Sequence, residues 1–167
     1  GEDDMNEVRR GGDRQGTSGQ TDSPRVFVPP PLIFASSVAA GLAIDMHLHE
    51  FGVPQVFAIL LLVAALGLIG AALNLFRRRR TRPEPWQPAS ALVVTGIYRF
   101  TRNPMYVGMT LLSLSVAIFC QSLGAVFLSL VAAALIDRFV IRREEAYLQR
   151  CFGDEYRSYK QQVRRWL

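Results

Sequence analysis

Two long stretches of this chain carry no charge, and they limit what it can become. Val53–Phe76 is 24 residues long, ~36 Å as an α-helix, enough to cross a hydrocarbon core ~30 Å thick with some tilt. Pro104–Ile136 is also uncharged, and as one helix it would reach ~50 Å, too far for a single crossing. Cys120-Gln121-Ser122-Leu123-Gly124 interrupts it, which predicts a hairpin of two short spans. Val26–Ile44 is a further uncharged stretch. The expectation is an all-α integral membrane bundle of about four transmembrane helices, covering residues 26–167.

The charges lie between these stretches and are unequally shared. Residues 1–25 carry a net −2, hold five of the 13 glycines and show no apolar periodicity, the composition of a disordered polar tail. No cleavable signal peptide is visible, because the first apolar stretch follows this tail. Asp45–Glu50 carries −2, residues 77–103 carry +6 and residues 137–167 carry +3. With four spans, all 19 Lys and Arg fall on one side, which the positive-inside rule makes cytoplasmic. Both termini then face the cytoplasm of a multi-pass protein, with a bacterial inner membrane the expected location. The basic excess reads as topology and contact with membrane lipids rather than nucleic-acid binding. No protein partner can be inferred. Cys120 and Cys151 fall on opposite sides and cannot pair.

Several features exceed what a simple bundle needs. A connection between spans takes only a few residues, yet 77–103 is far longer and contains Pro83, Pro85, Trp86 and Pro88. It reads as an ordered cap over the inner membrane face. It ends in Arg102-Asn103-Pro104-Met105-Tyr106-Val107-Gly108, where Asn103 suits an N-cap and Pro104 the first helical position. That leaves Arg102, Tyr106 and Gly108 over; a helix N-terminus favours anionic groups, and Gly108 would let a bulky ligand approach the backbone. Glu144-Glu145 closes the last span, either as a solvated charge run or as a site for a cation. Beyond a break expected at Gly153, the residues Tyr156, Tyr159, Val163 and Trp166 share one helical face, the pattern of an amphipathic helix at the interface. Gly67, Gly70, Ala71 and Ala72 suggest a close-packing face on the second span. His47 and His49, in a short turn, make a poor metal site, and no metal is expected.

Three pieces in order resemble a known family: Leu92-Val93-x-x-Gly96-x-Tyr98, then Arg102 to Gly108, then Glu144-Glu145-x-x-Leu148-x-x-x-Phe152-Gly153-x-Glu155-Tyr156-x-x-Tyr159. The pattern is similar to the isoprenylcysteine carboxyl methyltransferases, integral membrane enzymes that use S-adenosylmethionine and release S-adenosylhomocysteine. The resemblance implies cofactor contacts at Ser90, Ala91, Leu92, Val93 and Tyr98, at Asn103, Pro104, Met105 and Tyr106, and at Glu144. Arg102 and Glu145 are expected at the catalytic centre. Eukaryotic members have His where this chain has Asn103, and a substrate-binding Arg where it has Val140; Arg138 or Arg142 is the expected substitute.

The function implied is methyl transfer to an amphiphilic acceptor within the membrane, with carboxyl O-methylation of an isoprenylcysteine-type substrate first. A phospholipid N- or thiol S-methyltransferase is the alternative in the same class. A sterol-type reductase using NADPH is the alternative in another class; such enzymes tend to place an acid directly after the motif glycine, where this chain has Met109.

Overall fold

The computed structural model describes residues 28–45, 52–79 and 92–167. The polar tail, the 46–51 turn with His47 and His49, and residues 80–91, including Ser90 and Ala91, lie outside the described residues. The elements are α1 (Pro30–Asp45), α2 (Gln55–Arg79), a 3-10 turn (Gly96–Arg99), α3 (Pro104–Phe119), α4 (Leu123–Leu135), a π-helical segment (Ile136–Ile141) and α5 (Arg142–Gln162). The described residues contain no strand.

The long uncharged run folds back where its polar residues fall. α3 ends at Phe119, Gln121 takes a positive φ of 53°, and Ser122 caps α4 by accepting a hydrogen bond from the Ala125 amide at 2.9 Å. Asp45, at the end of α1, accepts from the Ser122 hydroxyl and from the Gly124 amide (2.7 Å). A carboxylate at a helix N-terminus meets the free amides and the positive end of the dipole, so this acid secures α1 to α4.

Gln55–Arg78 and the helical run Leu123–Gln162 are long and apolar enough to cross a membrane, whereas α1 and α3 are apolar but shorter. The outer surface of α2 remains apolar: Val63 is 64% exposed and Leu60 60%. On α4, Phe127 is 65% exposed. Contiguous exposed apolar surface of this kind belongs against lipid or another apolar phase, so the helices are membrane-associated.

The helices pack in antiparallel pairs, α2 on α3 and α1 on α4, with α3 also touching α1 and α4. The seam of α2 is Ala58, Ala65 and Ala72, all buried, at seven-residue spacing. Ser115 donates to the Ala58 carbonyl at 2.8 Å, and Gln121 to the Val53 carbonyl at 2.7 Å. The packing face expected on α2 is therefore corrected. Gly67, Gly70 and Ala71 are exposed, and only Ala72 belongs to the seam. Gly108 is corrected too: a Cβ there would stand 2.6 Å from Ile69 Cγ1 and 3.3 Å from the Ala65 carbonyl oxygen, so its bareness admits α2 rather than a ligand.

The C-terminal aromatic face exists but turns toward protein. Tyr156 and Tyr159 are buried with Ala72, Val93 and Tyr98, and Val163 packs beside them. The helix does break at Gly153 (φ 50°, ψ −121°). It stops at Gln162, with Val163 extended, so Trp166 is not on the helix and packs instead beside Phe34, Tyr106 and Ile136.

Gly41 faces the backbone of Ala125 so closely that any Cβ would overlap it, whereas Gly67 has open space. Gly41→Ala should force α1 off α4 and cost about 1–3 kcal/mol. Gly67→Ala should be neutral or stabilise by about 0.5–1 kcal/mol, because a helical Gly is replaced by the best helix former. Unfolding of both variants in detergent checks this; equal effects would contradict the packing.

Candidate active site

The site grows from the segment before α3. Leu92–Val94 has no regular secondary structure, Thr95 is extended, and Gly96 turns the chain with φ +62° beside Leu75. Tyr98 is then buried, its ring edge-on to Phe76 with centroids 5.7 Å apart, and its carbonyl accepts from the Tyr159 hydroxyl at 2.7 Å. The described part of the cap is thus ordered between α2 and α5.

The next residues are held by the chain beyond α5. The Arg102 amide donates to the Arg164 carbonyl at 2.9 Å. The Arg165 carbonyl accepts from the Thr101 hydroxyl (3.2 Å) and from Asn103 Nδ2 (2.9 Å). Asn103 occupies the N-cap position ahead of Pro104, but its side chain makes no capping hydrogen bond. The capping role expected of it is replaced by a tie across 62 residues of sequence.

The two adjacent acids divide. Glu145 is 7% exposed and surrounded by cations: Arg102 Nη1 lies 2.9 Å from its Oε1, Lys160 Nζ lies 3.9 Å from Oε2, and Arg165 forks onto both oxygens at 3.0 and 2.7 Å. The fork holds the Arg165 guanidinium above its ordinary pKa, first through the hydrogen bonds to Glu145. Arg165 Nη1 also reaches both oxygens of Asp137 at 3.3 Å, and Trp166 Nε1 donates to Asp137 at 3.0 Å. Arg102 and Glu145, expected at the catalytic centre, are brought together but spent on this internal network.

Glu144 points elsewhere. Its Oε2 accepts from the Tyr106 hydroxyl at 3.0 Å. It sits beyond the apolar part of the helix, and burial pushes its pKa up to about 7; the Tyr106 hydrogen bond opposes this and the neighbouring Glu145 charge adds to it. Burial, and after it the Glu144 charge, raises the Tyr98 hydroxyl well above its usual range. A partly buried carboxylate held by one tyrosine hydroxyl and close to a second tyrosine, beside the first turn of α3, is chemically suited to a cationic ligand. It is the part of the expected cofactor set that remains available. Leu92, Val93 and Met105 supply apolar packing, Pro104 is fully buried, and Asn103 is engaged with the tail.

Next to Tyr106 a groove of about 510 Å³ opens between α3 and α4, lined by Thr110, Ala133, Ala134, Asp137, Arg138, Arg142 and Trp166. Arg138 and Arg142 therefore share one wall. Val140, between them, is buried in the core. The reading from sequence missed Asp137, Arg165 and Trp166 as site residues. A helical face signals Trp166 only as an interfacial aromatic, and nothing in the spacing signals Arg165.

A half-buried carboxylate and an arginine-lined groove thus lie at one end of an apolar helical bundle, and the comparisons with known proteins place the chain among membrane-associated methyltransferases. A family model described as phospholipid methyltransferase matches residues 53–155, and the chain belongs to that family. A protein of Haemophilus influenzae named only as uncharacterized is 43% identical over 63 residues, 38% of this chain and 100% of that protein. A protein-S-isoprenylcysteine O-methyltransferase of Schizosaccharomyces pombe is 36% identical over 75 residues, 43% of this chain and 30% of the yeast protein. The chain is a methyltransferase, and the family implies S-adenosylmethionine as methyl donor.

The network around Glu145 has a stability signature. Removing one partner of a buried ion pair leaves the others uncompensated, typically costing about 3–5 kcal/mol. Glu145→Gln should cost about that much in denaturant titrations. Asp154→Asn, at a carboxylate 91% exposed and paired with Arg157, should change nothing measurable. A Glu145→Gln variant as stable as wild type would show that the network does not hold the fold.

Proposed function

We propose that this methyltransferase acts on an anionic amphiphile that enters from the bilayer, and that the reaction is carboxyl O-methylation of an isoprenylcysteine-type substrate. The groove carries this reading. Its alanines and Thr110 form a mainly apolar wall along α3 and α4, while Arg138 and Arg142 stand at its charged end. Arg138 is exposed, with its guanidinium 5.8 Å from the Phe139 ring centroid, and Arg142 lies 3.8 Å from Asp137. Asp137 is offset by Arg165, so the end of the groove favours an anion. Arginine also suits a carboxylate geometrically, through paired hydrogen bonds.

The cofactor supplies an electrophilic methyl group on a sulfonium. A carboxylate acceptor already carries the electron pair that would form the new O–C bond as the C–S bond breaks and the thioether leaves, so no general base is needed. The lining of the groove contains no histidine. An amine would need a group to take its proton, and Asp137 is held by Arg165 and Trp166. What the protein's residues then contribute is placement. Glu144 binds the cationic cofactor, Arg138 and Arg142 orient the acceptor, and Tyr106 and Trp166 wall the space between them from water. Positioning alone can supply ~7–11 kcal/mol of the barrier. The S. pombe relative supports a carboxyl acceptor, while the family's description keeps a phospholipid as the second reading.

The same reading takes α1 and α3 as membrane spans too. A four-span bundle then has both termini and residues 92–103 on the cytoplasmic side, in a bacterial inner membrane.

Glu144 provides the test. Losing a charge-assisted hydrogen bond to the cofactor costs about 1.5–3 kcal/mol, ten- to a hundredfold in affinity, so Glu144→Gln should weaken S-adenosylmethionine and S-adenosylhomocysteine by that factor. The α-ammonium group that both molecules carry favours the ionised carboxylate, and burial pushes the Glu144 carboxyl up to about 7. Affinity should therefore rise with pH through about 7, and the slope should flatten in Glu144→Gln. Calorimetry in detergent at pH 5.5 to 8.5 measures both effects. A pH-independent affinity unaffected by the substitution would remove Glu144 from the site.

A further inference from the structure

Asp137 and Glu144 are seven residues apart, so in an uninterrupted α-helix they would lie about 20° apart on one face. Glu145 would sit about 80° round from Asp137. The structure shows another arrangement, because Glu145 shares the Arg165 guanidinium with Asp137 while Glu144 turns to the Tyr106 hydroxyl. The π segment Ile136–Ile141 is the cause. Its hydrogen bonds reach one residue further, as where the Arg142 amide donates to the Asp137 carbonyl. One extra residue in the turn sets everything after it back by about 100°. Glu145 thus occupies the place that Glu144 would have in an α register, and Glu144 occupies the place of Arg143.

We infer that Arg165 is a positioning residue: by clamping Asp137 to Glu145 across the π segment it holds the register that presents Glu144, rather than Arg143, to Tyr106 and the cofactor site. Three observations carry this. The clamp bonds to both acids, Asp137 in the first turn of the π segment and Glu145 beyond its end. It is itself fixed by its own carbonyl, which accepts from Thr101 and Asn103. Glu145 and Arg102 are almost fully enclosed, at 7% and 9% exposure, so the network has little water to replace a lost partner. In the α register a cation, Arg143, would face Tyr106 and repel a cationic ligand.

The inference rests on the reading of Glu144 as a cofactor contact, and the experiment separates the two. Arg165→Gln and Arg165→Lys would be made in the full chain in detergent, with Arg157→Gln as control. Amide hydrogen exchange, measured without added cofactor, should rise at least tenfold in peptides covering 136–148 of Arg165→Gln while α2 stays protected. S-adenosylhomocysteine affinity should fall tenfold or more, return in part in Arg165→Lys, and stay unchanged in Arg157→Gln. The register itself is read by a cycle: Glu144→Gln should cost ten- to a hundredfold in the wild-type background and less than threefold in the Arg165→Gln background. A purely structural Arg165 would leave the cost of Glu144→Gln intact in both backgrounds, and that result overturns the inference. Unchanged exchange at 136–148 overturns it as well. If Arg165→Gln does not fold, the same cycle in Arg165→Lys decides, with an undiminished cost of Glu144→Gln as the overturning result. Wild-type protein that binds no S-adenosylhomocysteine would reject the cofactor reading, while the exchange data would still judge the clamp.

Discussion

Taking a carboxylate out of water is costly unless cations meet it, and the cations that meet Glu145 come from three parts of the chain. Arg102 arrives from the segment before α3, Lys160 from the end of α5, and Arg165 from the extended residues beyond it. Each brings its own stretch of backbone. Arg102 is flanked by Thr101 and Asn103, whose side chains donate to the Arg165 carbonyl, so the ion pairs and the backbone ties close the same loop. The parts of the site that no helix–helix seam could position are positioned here. Asp137 extends the network to the end of α4 through Arg165 and Trp166, which joins the wall of the groove to the acids.

The helices are held by a different kind of contact. Within a bilayer, apolar surface has no reason to leave lipid for protein, so association relies on close approach and on hydrogen bonds between helices. The Ala58, Ala65 and Ala72 seam, the Gly108 contact with Ile69 and the Gly41 contact with Ala125 provide the first. Ser115, Gln121 and Asp45 provide the second, at the end remote from the acids. Small residues thus bring the helices together along their length, while ion pairs organise the end that carries Glu145. That division leaves large side chains such as Phe127 and Val63 free to face outward.

Much of this was legible in the residue pattern. Uncharged length located α2, and excess length with a polar interruption located the α3–α4 turn. Gly153 announced its break. The methyltransferase assignment followed from three motifs whose residues the fold places around the same end. Where the reading failed, more than one face satisfied the same pattern. α2 carries two sets of small residues, and composition cannot say which meets α3. Tyr156 and Tyr159 form an amphipathic face that serves a lipid interface or a protein core equally well, and the buried Tyr98 opposite them settles it. Arg165 lies beyond the last helical turn, where periodicity has nothing to say. The π segment has no sequence signature in Ile136–Ile141, because its stability comes from contacts made 20 and 28 residues later, by Arg165 with Glu145 and Asp137.

Two acids in succession on a helix point about 100° apart, and here that angle separates structure from chemistry. If both faced inward, the cations available would have to neutralise two charges, and a cationic ligand would find none unmatched. If both faced the ligand, the segment before α3 would lose its anchor. With the π segment in place, one acid is saturated by Arg102 and Arg165 and the other has a tyrosine hydroxyl, a partner that stabilises a carboxylate without neutralising it. Burial then raises the energy of the second acid's charge, which a cation bound there would relieve. On the proposed reading, the preference of Glu144 for a cation is set by what its neighbour has already consumed.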